Sequence, residues 1–141
     1  MGRTDCKSEL MKRFLRPTKI SPTVSGQPHG LAHGGVFKRL VIGGQVGADP
    51  SGNVPAGFEA QVELAFDNLL AVIDEAQLAA GDLVRLAAYV AVPGRLAHYN
   101  LVRERKIGSA TPVSTYVEIA GLGDRRWLIS IEGEAIREAD L

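Results

Sequence analysis

Several features that would commit a chain to a specialised class are missing or scarce here. Cys6 is the only cysteine in 141 residues, so no intrachain disulfide can form. Lysine plus arginine and aspartate plus glutamate number 16 each, for a formal net charge of zero. Nucleic acid and anionic membranes attract basic surfaces, so neither is expected as the main partner. No apolar run approaches the roughly 20 residues that span a bilayer, and the first twenty residues lack the apolar core and small-residue cleavage site of a signal peptide. A cytoplasmic protein is therefore expected. The three histidines, His29, His33 and His98, have no metal-ligand spacing, so no metal and no cofactor is expected. Internal repeats and low-complexity segments are absent as well.

What is present suits one domain with its own core. Residues 1–17 read as a flexible N-terminal arm, with the basic cluster Lys12, Arg13, Arg16 and Lys19 at its end, and 18–141 as a single domain. Pro22, Gly26, Pro28, Gly30, Gly34 and Gly35 allow loops and short strands at most. Phe37–Ile42 reads as a strand running into Gly43-Gly44-Gln45. Asp49-Pro50-Ser51-Gly52-Asn53 is a turn signal. From about Gly57 to Ala80, Val62, Ala65, Phe66, Leu69, Leu70 and Ile73 fall at i, i+3, i+4, i+7 spacing, which predicts an amphipathic helix with Gly81 as its stop. Asp82–Val92 reads as a strand buried on both faces. A shorter helix over Arg95–Ile107 places Leu96, Tyr99, Asn100 and Arg103 on one side. Two strands close the chain, Val113–Ile119 and Arg126–Ile136. On the first, Ser114, Tyr116 and Glu118 face away from Val113, Thr115 and Val117.

The expected order is β-β-α-β-α-β-β, an α+β fold. A sheet with two helices on one face leaves the other face bare, and one chain of this length has nothing left to cover it. Self-association is the physical expectation.

Five blocks then occur in order: Val41-Ile42-Gly43-Gly44-Gln45; Gln61 through Asn68 to Ala71; Tyr99-Asn100; Pro112-Val113-Ser114-Thr115-Tyr116-Val117-Glu118-Ile119; and Ile131-Glu132-Gly133-Glu134-Ala135-Ile136. Together they resemble the Rid family (YjgF/YER057c-type, RidA-like), over about residues 20–137. The resemblance implies a chorismate-mutase-like fold, assembled as a homotrimer with small-molecule sites in clefts between subunits. It also implies hydrolysis of an enamine or imine to a keto compound and ammonia, without metal or cofactor. In the family's deaminases the signature strand reads Pro-Ala-Arg-Ser-(Cys/Thr)-Val, and the arginine grips the substrate carboxylate.

Carried over residue by residue, the resemblance makes Glu134 the catalytic acid/base or water-positioning group. Gly43, Gly44, Asn100, Ser114 and Tyr116 become the substrate-binding positions. Three of these depart from the pattern: Ser114 stands for the arginine, Tyr116 for the cysteine and Gly43 for a serine. The family's loop tyrosine has no secure match, with His33 and Leu31 lying nearby. Losing a charge-assisted contact removes about 1.5–3 kcal/mol per hydrogen bond, so a divergent hydrolase with a different substrate is expected. The alternative is a non-catalytic binding or regulatory trimer. Arg103, Arg105, Arg125 and Arg126 are the cations that could replace the missing one. Ser114 has no Ser-His-Asp order around it to make it a nucleophile. Gly43-Gly44 lacks the Lys-Ser/Thr of a phosphate loop.

Overall fold

The computed structural model describes residues 11–23 and 26–139. Strands β1 (Met11–Leu15) and β2 (Gly30–Gly34) form a small antiparallel pair. The main sheet has the order β3-β6-β4-β5, built from β3 (Phe37–Val46), β6 (Ile129–Glu138), β4 (Leu83–Val90) and β5 (Val113–Glu118). Strand β6 runs antiparallel to both neighbours, and β4 and β5 are parallel. Helix α1 (Phe58–Glu75) precedes β4, and helix α2 (Leu96–Ile107) makes the crossover to β5. Parallel neighbours need such a crossover, since no tight turn can join them.

Side-chain alternation sorts the sheet into two faces. Ile42, Leu86, Ala88, Val90, Ile129 and Ile131 point into the core beside Val62, Phe66 and Leu69 of α1. Phe66 and Tyr99 lie 5.8 Å apart, centroid to centroid, and join the two helices. The opposite face carries Arg39, Arg85, Tyr89, Glu132 and Glu134. Val41 there is 60% exposed.

Two amides on α1, one buried and one partly buried, hold the loops around it. Gln61 is fully buried. Its Nε2 donates to Pro55 O at 2.7 Å and Arg126 O at 2.8 Å, and its Oε1 accepts from Leu128 N at 2.8 Å. Asn68 Nδ2 donates to Val46 O and Ala48 O, both at 3.0 Å. Gly47 lies so close to α1 that a Cβ there would sit 2.5 Å from Gln61 Cα.

Three local expectations need correction. Met11–Leu15, inside the stretch read as an arm, forms β1 instead. Backbone pairing does not require apolar side chains, and Lys12 Nζ donates to Ile136 O at 3.3 Å, tying β1 to the main sheet. Residues 1–10, Cys6 among them, lie outside the described residues. Helix α1 stops at Glu75, before Gly81. Gln77 takes φ 60°, Gln77 N donates to Asp74 O and Leu78 N to Ile73 O, which is a Schellman closure on a non-glycine residue. Finally, β3 continues through Gly43-Gly44 to Val46. It absorbs one extra residue there, because Ile42 pairs with Gly133 and Gln45 with Ile131.

Gln61→Leu strands backbone groups on two loops, and unfolding in denaturant will show a loss of about 2–5 kcal/mol. Gln77→Gly relieves the left-handed strain and should raise the unfolding midpoint, by up to about 1 kcal/mol in stability.

Candidate functional site

The core-facing side of edge strand β5 bounds a cleft of about 360 Å³, whose lining includes Gln27, Asn100, Arg103, Ser114 and Tyr116. Helix α2 supplies Asn100 and Arg103 one turn apart, and strand parity supplies Ser114 and Tyr116 two residues apart. The loop before β2 supplies Gln27. Tyr116 stacks on Tyr99 at 5.1 Å, and burial pushes the phenol pKa of Tyr99 strongly upward. Burial also raises that of Tyr116, with the Glu118 carboxylate adding to the effect. Both phenols stay neutral near pH 7. The Tyr116 hydroxyl and Arg103 Nε are shut off from solvent with no hydrogen-bond partner among the described residues.

Ser114 donates its hydroxyl proton to Pro112 O at 3.1 Å, so toward the cleft its oxygen is an acceptor. That settles the orientation of the neighbouring Gln27 amide. Its NH2 donates to Ser114 Oγ at 2.6 Å, and its carbonyl accepts from both terminal nitrogens of Arg103 at 2.6 and 2.9 Å. A guanidinium thus stands within one bridging group of Ser114. Of the other candidate cations, Arg105 pairs with Glu63, and Arg126 with Asp124 at 2.7 Å. The Asp124 carboxyl is pulled down to about 2, chiefly by the Arg126 side chain.

Glu134 lies elsewhere. It sits on the opposite face of the sheet, paired with Arg39 at 3.0 Å and with Arg85 at 3.9 Å. Its side chain keeps 25% of its surface exposed. It lines a separate hollow of about 230 Å³ together with Leu31, His33, Arg85 and Val113. Val113 and Ser114 are successive residues of β5, so the two hollows flank the same edge strand. Glu132, two residues from Glu134, accepts from Tyr89 OH at 2.9 Å, and this contact raises the tyrosine's pKa. Gly43 and Gly44 occupy the β3 bulge at the far edge of the sheet. A Cβ on Gly44 would meet Ser130 Oγ at 2.6 Å.

One chain therefore brings Asn100, Ser114 and Tyr116 together, and leaves Glu134 and the two glycines apart from them. Gln27 and Glu132 were not singled out from sequence. Glu132 shares the parity of Glu134 on β6, a signal that could have found it, whereas Gln27 sits in a glycine- and proline-rich loop with no periodicity to place it. Among the described residues there is no group of three or more His, Cys, Asp or Glu side chains suited to holding a metal ion, and no helix long and apolar enough to cross a membrane.

A family model described as Endoribonuclease L-PSP matches residues 32–137, and the chain belongs to that family, which includes the Rid/YjgF proteins. Among curated relatives, the 2-iminobutanoate/2-iminopropanoate deaminase of Escherichia coli K12 is 30% identical over 125 residues, covering 86% of this chain and 91% of the relative. Among solved structures, the Rid-family protein YyfB of Yersinia pestis superposes with a TM-score of 0.75 at 27% identity, covering 88% of this chain and 97% of that one. The Escherichia coli YjgF product gives 0.66 at 28% identity, with coverage of 86% and 96%. The α+β fold with two helices on a mixed sheet matches these structures.

Tyr116→Phe removes a buried hydroxyl that lacks a partner. The variant should unfold at equal or higher temperature, with a gain of about 1 kcal/mol. A loss of that size would show the hydroxyl to be bonded in solution.

Proposed function

We propose that this protein is a divergent Rid-type hydrolase that deaminates an enamine or imine in clefts completed between the subunits of a homotrimer. In such a reaction water adds to the C=N carbon, the C–N bond breaks and ammonia leaves, giving a carbonyl product. The observation that carries the reading is the cleft at Ser114, with Asn100, Tyr116 and a guanidinium on its walls. Its volume of about 360 Å³ suits a small metabolite. The distribution of the other expected residues also supports assembly. Gly43 and Gly44 lie at one edge of the sheet, Ser114 at the other, and Glu134 on the uncovered face. Neighbouring copies would have to bring these groups together, with Glu134 as the acid/base or water-positioning group.

The relative's substrates, 2-iminobutanoate and 2-iminopropanoate, are expected to be poor ones here. Ser114 cannot supply a bidentate fork to a carboxylate. Nucleic acid is not expected as a substrate despite the family's name, because the chain's charges balance and the cleft displays one arginine among neutral side chains.

A non-catalytic binding trimer is the second reading, and one observation favours it. The only titratable side chains lining the cleft are two tyrosines and Arg103, so a single chain provides no general base there.

Ammonia and keto acid release from imines generated by an amino-acid oxidase distinguishes these readings. Rates on 2-iminopropanoate should fall at least tenfold below those of an arginine-bearing homologue, while a panel of larger imines should contain one that turns over. Glu134→Gln should then lower kcat by 10²-fold or more. Full activity on 2-iminopropanoate would contradict the proposed divergence. No turnover across the panel would leave the binding reading.

A further inference from the structure

The formal neutrality of the chain conceals a strong polarity. Residues 10–48 contain Lys12, Arg13, Arg16, Lys19, Lys38 and Arg39 and no aspartate or glutamate, whereas residues 49–141 hold eight lysines and arginines against 14 acids. The surplus of cations falls on β1, the loop that follows it and the start of β3. Lys38 and Arg39 are engaged there by Ala76 O and Glu134, and Lys12 reaches Ile136 O. Arg13, Arg16 and Lys19 are exposed, and among the described residues no ion pair includes them. Among the described residues β1 also pairs with β2 alone, so its other edge offers unpaired backbone donors and acceptors. Phe14 and Ile20 are exposed apolar residues on the same stretch. The loop after β1 encloses a hollow of about 380 Å³, with Pro17, Ile20 and Pro22 among its walls.

We propose that β1 is a docking edge for a short acidic segment of a partner protein, which adds to it as a further strand. The segment's backbone pairs with Met11–Leu15, its carboxylates face Arg13, Arg16 and Lys19, and an apolar residue at one end enters the hollow beside Ile20. Backbone pairing supplies affinity, and charge supplies the choice of partner. Charge complementarity also decides against the other occupants. Cations on an edge strand keep identical copies from pairing with it, because like charges would meet across the new ladder. A nucleic acid or an anionic bilayer presents negative charge well beyond the roughly 8 Å screening length, and the acid-rich remainder of the chain repels it there. A short acidic strand confined to β1 meets neither repulsion. The inference does not rest on the Ser114 cleft or on turnover.

Fluorescence anisotropy tests this with the intact protein at about 0.15 M salt and a dye-labelled Glu-Val-Asp-Leu-Glu-Val-Asp-Leu peptide. That peptide should bind about tenfold or more tightly than its counterpart with lysine at every acid, and Arg13→Glu combined with Arg16→Glu should abolish the preference. Methylating alternate backbone nitrogens of the peptide should abolish binding in one parity and spare it in the other, since only one set of N–H groups faces β1. Should the double variant fail to fold, judged by its thermal transition, the lysine counterpart and the methylation parity decide alone. Equal binding of acidic and basic peptides, indifference to the parity of methylation, or no binding at about 1 mM peptide would overturn the proposal. An oligothymidylate or a phosphatidylserine vesicle that binds as tightly as the acidic peptide, and is lost in the double variant, would make the patch a general polyanion site and overturn it too. Assembly beyond a trimer in light scattering, suppressed by the peptide, would assign the edge to a second copy, with the same consequence.

Discussion

The Gln61 side chain is the contact through which the parts of this fold meet. It is an amide buried to zero exposure, and its three hydrogen bonds reach the loop before α1 and the entry to β6. A buried amide is tolerated only when its donors and acceptor are satisfied, so the positions of Pro55, Arg126 and Leu128 are fixed together. Gly47 must then be a glycine, because the β3 exit passes against the Gln61 backbone. Asn68 repeats the device two turns along the helix, on Val46 and Ala48. Helix, sheet and loops are thereby locked in one register, and the cleft beside β5 inherits that rigidity through Phe66, Tyr99 and Tyr116.

Much of this was legible in the sequence because period carries it. The 3.6-residue spacing of Val62, Phe66, Leu69 and Ile73 places α1 on the sheet. The two-residue alternation on β5 puts Ser114 and Tyr116 on one face. The side shared by Asn100 and Arg103 on α2 is the one that lines the cleft. Where period is absent the reading falters. Helix α1 ends on Gln77 at positive φ, and glycine's usual role as the stop points to Gly81 instead. β1 is a short strand with Lys12 and Arg13 near its middle, and its pairing is a property of its backbone. Gln27 matters through the two polar atoms of a loop side chain and one serine proton, none of which composition or spacing can express.

Ser114 and Tyr116 share one cleft, while Gly43 lies at the far edge of the sheet. The Gln27 amide links Ser114 to Arg103 of helix α2. Tyr116 lies beside them and stacks on Tyr99. Meanwhile Glu134, apart from the Ser114 cleft, is held by Arg39 and Arg85 on the uncovered face. Across the edge strand, Arg103 stands on one side outside any ion pair among the described residues, and Glu132 and Glu134 stand on the other beside Arg39 and Arg85.

The strand latest in sequence, β6, lies between β3 and β4, so neither has a main-sheet neighbour on that side without it. Phe37 pairs with Glu138, which closes most of the chain into one loop. Pairings so distant in sequence are slow to find and leave strand edges open meanwhile. During synthesis the helices can form as they emerge, yet the sheet has no centre until its last strand is free of the ribosome. The nascent protein therefore passes through a stage with unpaired edges on β3 and β4 that lasts until β6 has emerged.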